Sequence, residues 1–164
     1  MEERIVLPKD HFRKRIQHQY SNVGRAICRE ILQNSQDAGA SRVDFQFTDI
    51  GFAALDNGCG MNLQEFRDHY LTLGGTKKET GSIGGFGAAK ELLSFAWESW
   101  ACQGQGFIVS GSGSMNPESK PDSTLKKGFL VSAIDSNFPS NAERLECGLN
   151  YILGKSISKL RQSR

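Results

Sequence analysis

Three short runs of this chain have residue types and spacings suited to phosphate and metal chemistry. They are Glu30-Ile31-Leu32-Gln33-Asn34-Ser35-Gln36-Asp37-Ala38, Asp56-Asn57-Gly58-Cys59-Gly60-Met61, and Gly84-Gly85-Phe86-Gly87-Ala88-Ala89-Lys90. On a helix, Glu30 and Asn34 lie one turn apart, which puts a carboxylate beside an amide. Glycine permits sharp turns and close backbone approach to a ligand, and backbone N–H groups at a helix start favour anions.

These runs need elements to position them. Ser21 or Asn22 caps a helix running to about Ala38, where Gly39 stops it. Val43, Phe45 and Phe47 alternate with polar residues and predict a half-buried strand. After a turn at Asp49-Ile50-Gly51, the short apolar strand Phe52-Ala53-Ala54-Leu55 delivers Asp56 at its end. Asn62 with Glu65 has the form of a capping box for a helix over about 63–71. Residues 72–83 read as a glycine-rich loop, and Gly87 opens a helix carrying Ala89, Leu92, Leu93 and Ala96 on one face. Trp97–Cys102 and Phe107–Ser110 predict a hairpin around Gly104 and Gly106. Residues 111–123 read as a mobile loop and Gly128–Ile134 as a core strand. Ser140 and Glu143 form a second capping box, ahead of a helix with Leu145, Leu149, Ile152 and Leu153. Residues 1–20 read as an extended arm with a short basic helix, and 21–164 as a single domain.

On a wheel of roughly 100° per residue, Glu30, Asn34 and Asp37 fall within about 40° of Val23, on the side that carries Ala26 and Ile27. Burying such a trio without partners costs several kcal/mol. A metal, a phosphate-bearing ligand or ordered water would relieve that cost. The alternative is a trio at the edge of the face, bonded to nearby backbone. Asp56-Asn57-Gly58 also fits an ordinary turn. The Gly84 run is not a Walker A loop, because no Gly-Lys-Ser/Thr follows, and its spacing is not that of a Rossmann fingerprint.

Together the three runs resemble the N-box and two glycine boxes of the gyrase B/Hsp90/histidine-kinase/MutL (GHKL) ATPases. Every fixed position of the family pattern E-x-x-x-N-x-x-D-A is present. The resemblance covers roughly residues 20–135. It implies an α+β fold, the two-layer α/β sandwich of the Bergerat ATP-binding type, with a mixed, mostly antiparallel sheet. It implies ATP and Mg²⁺ as ligands. By that resemblance Glu30 orients and deprotonates the attacking water, and Asn34 ligates the metal. Asp56 accepts a hydrogen bond from the adenine amino group. Asp37, Gly58, Gly60, Met61, Gly84, Gly85, Phe86, Gly87 and Ala88 line the nucleotide. Lys77, or its neighbour Lys78, reaches the phosphates or else remains a solvated loop charge, and Lys90 is a weaker candidate for the same contact.

The chain departs from the family at Gly128-Phe129-Leu130-Val131, where Phe129 stands in place of a common threonine. It also ends soon after its last predicted helix, so the domain reads either as cut short at the C-terminus or as a minimal form. An Hsp90-like or a MORC- or MutL-like branch fits better than a histidine kinase, since His11 and His18 lie in no phosphoacceptor motif.

The net charge of +2 does not indicate nucleic acid. Cys28, Cys59, Cys102 and Cys147 form no C-x-x-C pair and read as free thiols. With no signal peptide or apolar span, a cytoplasmic protein away from membranes is expected. Three functions compete. One is slow Mg²⁺-dependent ATP hydrolysis that drives a lid switch, with an ATP-dependent homodimer or a transducer domain as partner. Another is a nucleotide-sensing module that binds ATP or ADP without turnover. The third is an unrelated α+β scaffold.

Overall fold

The computed structural model describes residues 6–72 and 89–136. Its framework is a six-stranded sheet in the order β1-β2-β6-β3-β4-β5. The strands are β1 (Val43–Thr48), β2 (Gly51–Asp56), β3 (Ser99–Gly104), β4 (Phe107–Gly111), β5 (Glu118–Pro121) and β6 (Leu130–Ile134). Every pairing among them is antiparallel, and no parallel pair of the kind a mixed sheet needs occurs among the described residues. Mixed helix with an antiparallel sheet makes this an α+β fold.

Registers decide which side chains face inward. Phe52 pairs with Ala133, and Ala133 with Trp100. In the next row Ala54 pairs with Val131, Val131 with Cys102, and Cys102 with Val109. All of these are buried, as period-2 alternation requires of a sheet with one face on the core. In β1 the inward residues Val43, Phe45 and Phe47 are half-buried and pack against the core, while Asp44, Gln46 and Thr48 are exposed.

The helices are α1 (His11–Gln19), α2 (Val23–Asp37) and α3 (Leu63–Glu65). Asn22 caps α2 by accepting from the Arg25 N–H at 2.9 Å. Asn62 and Glu65 form the reciprocal capping box of α3, which continues into a π-helical turn, Phe66–Tyr70. A second π-helical turn, Glu91–Phe95, follows Ala89 and Lys90, and all five of its residues are buried. It lies against α1, α2, β3 and β6, so no side of it is left for solvent.

Two segments differ from their sequence reading. Within 1–20, α1 buries Phe12 and Ile16, one turn apart, in the core. Arg13 on the same helix forms an ion pair with the buried Asp135. Within 111–123, β5 pairs with β4; its four residues are exposed and polar or proline, so it carries no alternation to betray it. The helix expected beyond Ser140 lies outside the described residues.

Candidate functional site

α2 carries the first motif across the edge of the helix layer. Glu30 is buried and Asn34 is half-buried, whereas Asp37, in the last turn, is exposed. Asp37 closes the last turn of α2. Glu30 Oε1 is 3.5 Å from an Arg29 Nη. Tyr20 lies close by: burial and then the negative charge of Glu30 raise its phenol above the ordinary range. Glu91, paired with Arg15 at 3.4 Å, adds to that effect. One polar cluster thus joins α1, α2 and the second π turn.

A second cluster lies farther along α2. The residue after Asn34 is Ser35, which is buried and whose hydroxyl donates to Asp56 Oδ2 at 3.3 Å. Asp56 Oδ1 accepts the Gly58 N–H at 2.8 Å. Asp56 as a whole residue is only 9% exposed; its carboxylate is held at both oxygens, while two oxygens offer about four lone-pair sites. Five residues at 1.5 Å rise separate Glu30 from Ser35, about 7.5 Å along the helix.

The second motif is folded tightly onto the end of α2. The Cys59 N–H donates to Ala38 O at 2.9 Å. A Cβ on Gly58 would sit 2.7 Å from Ala38 Cβ, closer than packed atoms approach, so this position excludes a side chain. Gly60 has φ +64° and lies against Gly128, which has φ +86° and would drive a Cβ onto Asp56 O. Both positions combine left-handed backbone with close approach, the two conditions glycine meets. Gln105 Nε2 donates to Cys59 O at 3.0 Å and secures the loop from the β3–β4 turn. Met61 is half-buried against the core.

Lys90 bonds to backbone carbonyls of the segment after α3. It is buried, and its ammonium donates to His69 O at 2.9 Å and to Thr72 O. Burial pushes its pKa down. Lys77, Lys78, Gly84, Gly85, Phe86, Gly87 and Ala88 lie outside the described residues.

The structure therefore brings Asp56, Gly58, Gly60 and Met61 together beside the C-terminal half of α2, with Asn34 next in chain to the serine that holds Asp56. Sequence reasoning missed Ser35, Gln105 and Gly128. Ser35 had a signal, a hydroxyl inside the motif; the other two act through contacts far apart in the chain. Among the described residues no three His, Cys, Asp or Glu side chains converge as a metal cluster, and no helix is long and apolar enough to cross a membrane. No protein-family model matches the chain and no curated protein matches it.

Proposed function

We propose that this chain is a GHKL-type domain that binds ATP with Mg²⁺ and hydrolyses it slowly. The observation that carries the reading is the state of Asp56. A buried carboxylate at a strand end, oriented by Ser35 and Gly58 with lone pairs to spare, is suited to accept an amino group of a planar base. The two-layer sandwich of the resemblance agrees with helices packed on the inward face of an antiparallel sheet. The tight glycine loop agrees with close approach of a nucleotide.

The donor set fits the ligands. Asn34 offers a half-buried amide oxygen one turn from the Glu30 carboxylate, which suits a cation that takes most of its ligands from water and phosphate. When bound, the metal would neutralise phosphate charge. Glu30 would hold the water and take its proton, and Asp56 would fix the base. An ATP-dependent homodimer or a transducer domain belongs to this same proposal.

A second reading, binding without turnover, is favoured by the Glu30–Arg29 pair, because a carboxylate turned to a guanidinium is not aimed at a water. Turnover and binding by Glu30→Ala separate the two. ATP affinity should remain near wild type while hydrolysis falls roughly 10²-fold or more, the scale of losing a positioned base. Equal turnover in wild type and Glu30→Ala would remove Glu30 from the chemistry. Binding by both with hydrolysis by neither would select the binding module.

A further inference from the structure

The sheet row that ends at Asp56 carries an aromatic side chain with no part in the chemistry above. The Asp56 N–H donates to Phe129 O at 3.1 Å, and Leu55 pairs with Leu130. Phe129 is therefore the inward neighbour of Asp56, as Val131 is of Ala54. Its ring centroid lies 6.1 Å from Phe66 and 6.0 Å from Tyr70. Phe66 stacks on Tyr70 at 4.7 Å with an interplanar angle of 15°. The three rings form one aromatic group at this end of the core.

Inward residues in the middle rows are sealed: Val131 is 5% exposed and Ala133 1%. At the Asp56 end Phe129, Tyr70 and Met61 are only partly buried, although all three pack against the core. Phe129 thus stays partly exposed next to a carboxylate with lone pairs to spare. A ring stacked there would meet a π-face, and an exocyclic amine on that ring would meet Asp56. Phenylalanine itself offers no hydrogen-bond group, so its contribution to a bound base is stacking alone.

We propose that Phe129 is a specificity-determining residue that forms the aromatic wall of the base subsite, so that aminated purines are selected by stacking on Phe129 and donation to Asp56. The inference rests on the nucleotide-binding reading above and adds to it the residue that faces the plane of the base.

The test is calorimetric titration of the full chain with ADP without Mg²⁺, for wild type, Phe129→Leu, Phe129→Tyr and Asp56→Asn. Proton NMR of the adenine H2 and H8 resonances accompanies it. The expected result is ADP affinity reduced roughly 5- to 100-fold in Phe129→Leu, the scale of losing one base–aromatic stack. Phe129→Tyr, which keeps the ring, should stay within about threefold of wild type on the same grounds. Adenine protons should shift upfield on binding wild type and much less with Phe129→Leu. If wild type binds ADP, Asp56→Asn binds it much more weakly, and Phe129→Leu matches wild type, the Phe129 inference is overturned while the nucleotide reading stands. If wild type binds neither ADP nor ATP, both fall. Should Phe129→Leu fail to fold, nuclear Overhauser contacts between the Phe129 ring and adenine in wild type decide; their absence overturns the inference.

Discussion

Replacing Asp56 by asparagine separates the structural role of this side chain from its binding role. In the folded protein Oδ1 takes the Gly58 N–H at 2.8 Å and Oδ2 takes the Ser35 hydroxyl at 3.3 Å. An asparagine can keep its oxygen on Gly58 and turn its NH₂ towards Ser35, whose hydroxyl rotates from donor to acceptor. The loop therefore survives, and the loss of stability should stay near the net worth of one weakened hydrogen bond, about 1 kcal/mol. The ligand side has no such escape. Where a carboxylate oxygen could accept, an NH₂ now meets the amino group of adenine, donor against donor. Losing a hydrogen bond to a charged group costs about 1.5–3 kcal/mol, and the unmet donors add to that. ADP affinity should fall at least roughly 10- to 100-fold, since each 1.4 kcal/mol is tenfold. Calorimetric titration measures the affinity, and thermal unfolding of the same samples measures the fold. Near-wild-type affinity in a folded Asp56→Asn would refute the assignment. So would a binding loss that merely tracks a large fall in melting temperature.

Further outcomes follow from other parts of the structure. Asn34→Ala should weaken ATP binding severalfold with Mg²⁺ present and leave it nearly unchanged under EDTA; equal weakening in both would argue against metal contact. Arg13→Ala removes the ion-pair partner of the buried Asp135, which keeps the Glu98 N–H at 3.1 Å, and breaking a buried pair from one side costs about 3–5 kcal/mol. The Arg13 side chain is 24% exposed, which favours the lower end, and denaturant unfolding that shows no loss would contradict the anchoring of α1. Burial pushes the Cys102 thiol from 9.0 up to about 12 and Cys28 up to about 11. The unfolded thiols ionise first as pH rises, so the stability from keeping them neutral is complete below about pH 9 and drains away towards pH 12. At pH 10 this amounts to about 1.4 kcal/mol for Cys102. Melting curves should show Cys102→Ala less alkali-sensitive than wild type, and parallel pH profiles would count against this account.

Much of this architecture is written locally. The Asn22 cap, the Asn62–Glu65 box, the alternation through Val43, Phe45 and Phe47, and the β3–β4 hairpin each depend on residues within a turn or two of one another. That is the range over which backbone hydrogen bonds and side-chain periodicity act. The first motif and the delivery of Asp56 at the end of β2 were legible for the same reason.

The remainder arises from pairings between distant segments. α1 reads as a basic arm because five of its nine residues are histidine, arginine or lysine, yet two apolar residues one turn apart suffice once Asp135 receives Arg13. β5 is stabilised by backbone pairing at a sheet edge, which demands little of its side chains. Ser35 meets Asp56 across 21 residues, and the Asp56 N–H meets the carbonyl of Phe129 only because β6 inserts between β2 and β3. The sequence by itself determined which chemical groups this protein owns and the short elements that carry them. Only the tertiary structure decided which groups share a surface, because strand order and register are set by burial summed over the whole core rather than by any one segment.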